Sequence, residues 1–95
     1  MKRYISLLHF TEQGAKNIKN STRRAHDFDA LAEKAGVTIE GQFWTTGSLD
    51  GVLIIKADDD KKALHLLVEL AAGGNVRTET LRAFSAEEFD SIIAR

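Results

Sequence analysis

His9 closes an apolar run near the N-terminus, Tyr4-Ile5-Ser6-Leu7-Leu8-His9-Phe10. An unperturbed imidazole titrates at about pH 6.5, so His9 is the side chain best suited to act as a general base or pH switch. The plainer reading is a strand-end histidine bonded to a loop carbonyl, because no acidic partner stands at an identifiable spacing. Trp44 falls among the polar positions of a later apolar-polar alternation, where it would either floor a ligand pocket or anchor a subunit interface. Arg77 and Arg82 could each grip a carboxylate or phosphate through the guanidinium fork, or pair with a neighbouring acid at a sheet edge. Their odd separation puts them on opposite faces of a regular strand, so one pocket cannot use both. Asp50, in Thr45-Thr46-Gly47-Ser48-Leu49-Asp50-Gly51, is a candidate ligand contact whose simpler role is to bond nearby backbone amides in a turn.

Other chemistries lack their residues. With no cysteine there is no disulfide, thiolate metal site or cysteine nucleophile, and a reducing compartment is permitted. His26 and His65 fall on different helices with no second histidine one turn away, so no metal site is expected. No serine sits in a G-x-S-x-G elbow. Gly73-Gly74-Asn75 follows a helix instead of preceding one and cannot cradle a dinucleotide phosphate, and Asp58-Asp59-Asp60 lacks the glycine and terminal glutamate of a calcium loop. No cofactor is expected. With 13 basic against 14 acidic residues, the net charge of -1 offers no footprint for nucleic acid or an anionic membrane. No apolar run approaches the roughly 20 residues of a membrane span, and the N-terminus lacks a signal-peptide core, so a cytoplasmic location is expected.

The elements that position these residues follow from periodicity. At 95 residues, 43% of them hydrophobic and 28% charged, the chain is expected to form one soluble domain, residues 1-95. Arg3 to Phe10 is apolar on both alternating faces, as in a central strand. Thr11 offers an N-cap, but Gly14 interrupts the short helical turn that follows. From Ser21, Ala25, Phe28, Leu31, Ala32 and Ala35 recur along one helical face, and Gly36 ends the helix. Val37 to Thr46 alternates Val37, Ile39, Gly41 and Phe43 against Thr38, Glu40, Gln42 and Trp44, suggesting a strand towards an edge. Gly51 to Ala57 runs without a polar break and predicts a second central strand paired with the first. Asp58-Asp59-Asp60 caps a helix with Ala63, Leu67, Leu70 and Ala71 on one face, widened by Leu64, Leu66 and Val68. Val76 to Phe84 predicts a last strand, and Ser85-Ala86-Glu87-Glu88 is a capping box opening a short helix with Phe89, Ile92 and Ile93 on one side.

Two βαβ units joined at the Thr45 to Gly51 hairpin predict an α/β, ferredoxin-like βαββαβ sandwich: a four-stranded antiparallel sheet, both helices on one face, and a short C-terminal helix. The other face is then bare, presenting either Tyr4, Leu8 and Phe10 or Val52 and Ile54, and exposed apolar area of that extent marks an interface. A homo-oligomer, at least a dimer packed sheet to sheet, is expected.

Tyr4-Ile5-Ser6-Leu7, Thr11-Glu12-Gln13-Gly14 with Ile18-Lys19, Gly47-Ser48-Leu49-Asp50 and Gly74-Asn75-Val76-Arg77-Thr78-Glu79-Thr80-Leu81-Arg82-Ala83-Phe84 together resemble the GYD domain family across almost the whole chain. Leu49 stands where that family usually has an aromatic residue. The resemblance implies a ferredoxin-like fold of the dimeric α/β barrel type and no fixed activity. Three functional classes follow. The first is a small-molecule-binding or regulatory module using Trp44, His9 and an arginine. The second is a cofactor-independent monooxygenase or isomerase with His9 as base, by architectural analogy. The third is a plain oligomerisation domain.

Overall fold

The computed structural model describes residues 1–94. Four strands, β1 (Lys2–Phe10), β2 (Thr38–Trp44), β3 (Gly51–Ala57) and β4 (Val76–Ala83), form one antiparallel sheet in the order β2-β3-β1-β4. The connecting helices are α1 (Glu12–Lys16), α2 (Ser21–Ala35) and α3 (Asp60–Ala72), with a 3-10 turn at Ile18–Asn20 before α2 and a final helix α4 (Ala86–Ile93) after β4. This is the split βαβ arrangement expected from the element order.

Burial alternates along β3, with Gly51, Leu53, Ile55 and Ala57 buried beneath α2 and α3 while Val52, Ile54 and Lys56 are only partly covered. The β1 register sets Tyr4, Ser6 and Leu8 opposite Ile55, Leu53 and Gly51, so they share the helix-covered side. Ile5, Leu7 and His9 therefore occupy the open side. Of the two sets of apolar residues that could face outward, Val52 and Ile54 do; Tyr4, Leu8 and Phe10 lie under the helices instead. Tyr4, Phe28, Ala32, Leu53, Ile55, Ala63, Leu66 and Leu67 make up most of the core. Fully covering an Ile55 or Leu66 side chain contributes roughly 1.5–3 kcal/mol.

The helix ends are those the sequence signals. Thr11 accepts from the Gly14 amide, Asp59 from the Lys62 amide, and Ser85 and Glu88 complete a reciprocal capping box. Gly36 ends α2 at φ 74°, a left-handed value that a side chain disfavours.

In β2 the register slips between Ile39 and Gly41: Ile39 faces Ile55, yet Gly41 faces Ile54. One extra residue, Glu40, is accommodated as a β-bulge, and alternation inverts beyond it. Ile39 and Phe43 therefore end on opposite sides, contrary to a regular strand. Phe43, opposite Val52, joins the open face, while Gln42 and Trp44, opposite Leu53 and Gly51, join the helix-covered face.

The chain extends over 51 × 31 × 17 Å, with a radius of gyration of 14.2 Å. A compact chain of this length would have about 12 Å. The excess comes with α4, which packs against little of the fold and leaves Phe89, Ile92 and Ile93 at 53%, 55% and 58% exposed.

Candidate functional site

A cavity of about 240 Å3 opens at the end of the sheet where β1 finishes and the β2-β3 hairpin turns. Leu8 and Phe10 of β1, Trp44 of β2 and Leu53 of β3 form its floor, while Phe28 and Leu31 of α2 and Leu70 of α3 form its roof. In α2 the spacing of Arg24, Asp27, Phe28 and Leu31 is i, i+3, i+4, i+7, which sets two charged and two apolar side chains along one stripe towards it. Trp44 reaches this floor only because of the bulge.

Two backbone devices hold the rim. The Phe10 amide donates to Asp50 Oδ2 at 2.7 Å, and the Asp50 amide donates to the Leu8 carbonyl at 2.9 Å, locking the hairpin to the end of β1. The hairpin is also fixed internally, the Thr45 amide donating to the Asp50 carbonyl and the Thr45 hydroxyl to the Leu49 carbonyl. On the other side, Thr11 and Gln13 clasp the turn after α3. The Thr11 amide donates to the Asn75 carbonyl at 3.0 Å, the Thr11 hydroxyl to the Gly74 carbonyl at 2.6 Å, and Gln13 Nε2 to the Gly73 carbonyl at 3.0 Å and Asn75 Oδ1 at 3.2 Å. Gly14 fits beneath because it has no side chain: a Cβ there would stand 1.9 Å from the Asn75 carbonyl oxygen.

The residues singled out in the sequence separate into three places. Trp44 and Asp50 meet at the cavity. His9 and Arg77 are register neighbours on the open face, behind the sheet from it. Arg82, on the helix-covered side of β4, lies over the Tyr4 ring at 5.5 Å and the Phe84 ring at 4.6 Å, and donates to the Ala83 carbonyl at 2.9 Å. Its guanidinium is thus committed to packing. The separation of the two arginines by parity holds. His26 and His65 are exposed, and no metal-binding group of three ligands occurs among the described residues.

Beside Arg82, the Tyr4 hydroxyl donates to Asp60 Oδ1. Burial first, and this hydrogen bond second, push the Tyr4 phenol up to about 12, and the same bond holds the Asp60 carboxyl below its usual range. Across the sheet, Arg3 Nε donates to Glu40 at 2.7 Å and Lys56 pairs with the same carboxylate at 3.3 Å. Glu40, one residue on from Ile39, reaches this cluster on the open face by ordinary alternation.

Sequence reasoning missed Arg24, Asp27 and Asn75 as cavity residues. The helical spacing in α2 could have found the first two.

Three of the segments that carry the family resemblance meet at this end of the molecule: Thr11 to Gly14 grips Gly74-Asn75, and Asp50 grips the end of β1. The GYD domain profile matches residues 4–93. The chain belongs to the GYD domain family. A relative from Thermus thermophilus, the glutamine synthetase and cystathionine beta-lyase binding protein, is 30% identical over 96 residues, spanning 100% of this chain and 98% of that protein. In three dimensions the GYD domain resembles the crystal structure of FFRP-DM1, with a TM-score of 0.64 and 14% identity over 88% of this chain and 100% of that one. That likeness is one of fold.

Proposed function

We propose that this GYD domain is a homo-oligomeric regulatory module that acts by binding, with a protein partner on its surface and a small ligand in the Trp44 cavity. The observation that carries the reading is the open sheet face. Ile5, Leu7, Val52, Ile54, Phe43 and Leu81 form an apolar field there, with Phe43 58% and Leu81 44% exposed. A contiguous surface of this kind on a two-layer fold is an interface. A second copy packed about a two-fold axis would cover it, in the manner of a dimeric α/β barrel, and would give the projecting α4 a surface for Phe89, Ile92 and Ile93. The Thermus relative, described as a binding protein for two enzymes, supports a role exerted through protein contacts.

The small-ligand part rests on the cavity, where Trp44 and Asp50 are the binding residues. Arg77 belongs with the open face and Arg82 with the fold. His9 gains no hydrogen-bond partner for its imidazole among the described residues and does not line the cavity, so the proposal gives it no catalytic role. A cytoplasmic location belongs to the same reading; no helix among the described residues is long and apolar enough to cross a membrane.

Light scattering on the eluted protein tests the assembly. Twice the monomer mass or a higher multiple is expected for the unaltered chain, and monomer for Phe43→Glu and Leu81→Glu, both of which place a charge on the field. A monomeric unaltered chain would overturn the reading of the open face. Titration against the source organism's own glutamine synthetase and cystathionine beta-lyase tests the partner class.

A further inference from the structure

We infer that the Trp44 cavity is a site for a small organic ammonium ion, an amine carrying one ring or a branched apolar chain. The inference rests on the small-ligand part of the function proposed above and names the chemistry that the cavity selects.

Size comes first. At about 240 Å3 the cavity is below the roughly 300 Å3 at which drug-sized pockets begin, so it suits a single ring and not a nucleotide. Phe10, Phe28 and Trp44 supply aromatic surface, and Leu8, Leu31 and Leu70 complete an apolar wall. Such a lining binds a ligand's hydrocarbon part and, through the ring faces, favours a cation.

Charge then fixes the polar end. The charged residues lining the cavity are Arg24, Asp27, Asp50 and Glu69, three carboxylates against one guanidinium. Arg24 is turned onto its own segment, donating to the Asn17 carbonyl at 2.8 Å and to Ser21 Oγ at 3.3 Å. Glu69 lies 3.3 Å from His65. Asp27 and Asp50 have no cationic partner among the described residues. Of the four, Asp50 is the one fixed by the hairpin: the Phe10 amide holds Oδ2 and the Asp50 amide is bonded to Leu8, which leaves Oδ1 without a protein partner among the described residues. An ammonium donor satisfies that oxygen with a charge-assisted hydrogen bond. A neutral ligand of the same shape would shield the Asp50 carboxylate from water with weaker compensation, and an anion would be repelled by it.

Trp44 is the only tryptophan in the chain, so its emission reports on this site alone. The test titrates the full chain, at neutral pH and physiological salt, with three compounds that share a phenyl group and differ at the polar end: 2-phenylethylamine as its ammonium ion, 2-phenylethanol and 3-phenylpropanoate. The ammonium should shift Trp44 emission saturably and bind about tenfold tighter than the alcohol, with the carboxylate weaker still. Asp50→Asn, which keeps an acceptor for the Phe10 amide, should remove the preference for the ammonium and leave alcohol binding in place. The ranking in the unaltered protein stands as a test even if that variant fails to fold. Carboxylate binding as tight as the ammonium, or a preference that survives in folded Asp50→Asn, would overturn the amine assignment while the cavity remained a ligand site. Silence from all three compounds would overturn the ligand site itself, leaving self-association untouched.

Discussion

Replacing Gly14 by alanine should weaken the fold, although helix propensity alone argues the opposite. Gly14 lies inside α1 with no left-handed backbone angle, where alanine is normally better by about 1 kcal/mol. The new Cβ, however, would stand 1.9 Å from the Asn75 carbonyl oxygen and 2.9 Å from its carbon, and both are backbone atoms with no rotamer to yield. Overpacking of this kind costs about 1–3 kcal/mol. Relief requires α1 to move off the turn, which breaks some of the Thr11 and Gln13 hydrogen bonds, each with a net contribution of about 0.5–1.5 kcal/mol. Taking about 2 kcal/mol for overpacking and about 1 kcal/mol for a lost hydrogen bond against the propensity gain leaves a net loss of about 2 kcal/mol. For a domain of this size that is a fall in Tm of about 8–16 °C. Urea denaturation should show a lower midpoint with an unchanged slope. A Tm equal to or above that of the unaltered protein would refute the clasp as a structural element.

Three further outcomes are expected. Tyr4 is the only tyrosine, so ultraviolet titration of the phenolate reads it directly; its midpoint should lie near 12, and the stability tied to it should persist below pH 10 and fade as pH rises through the folded value. Glu40, held down chiefly by Arg3, Asp60, held down chiefly by Tyr4, and Glu88, held down chiefly by the Ser85 backbone amide, all ionise more readily folded than unfolded. Their contribution is therefore complete above the ordinary values of 4.5 and 3.8 and is lost as pH falls through the depressed ones, so Tm should drop with acid below about pH 4.5, less steeply in Glu40→Gln. Ser85→Ala removes the capping box and should lower helical circular dichroism by the fraying of α4, at a local cost of about 1 kcal/mol, while moving the global Tm little because α4 packs against little else.

The architecture was legible because each element carries its own period and its own stops. The unbroken apolar run Val52-Leu53-Ile54-Ile55 marked a central strand, and the caps at Thr11, Asp59 and Ser85 stand where side-chain chemistry puts them. The opposite orientation of Arg77 and Arg82 needed only parity. Faces were harder. β1 is apolar on both sides, so alternation could not say whether Tyr4 or Ile5 lies under the helices; pairing with β3 decides it. In β2 the inserted Glu40 defeats alternation, and Gly41 is the visible mark of the irregularity. The clasp joins residues some 60 positions apart, a distance over which no local pattern carries information. Only the resemblance grouped Thr11 to Gly14 with Gly74-Asn75, without saying that they touch.

The bulge in β2 has a thermodynamic corollary. Neighbouring residues of any strand serve opposite sides, and the bulge decides which takes which: Phe43 the open field and Trp44 the cavity floor, with a single peptide bond between them. A displacement of backbone that suits a ligand against Trp44 is also a displacement of Phe43. Linkage then makes the traffic two-way: whatever factor a cavity ligand imposes on the affinity for a partner at the open face, that partner imposes on the affinity for the ligand. Measuring either factor fixes the other, and a factor of one would mean that the two sides of this strand work independently.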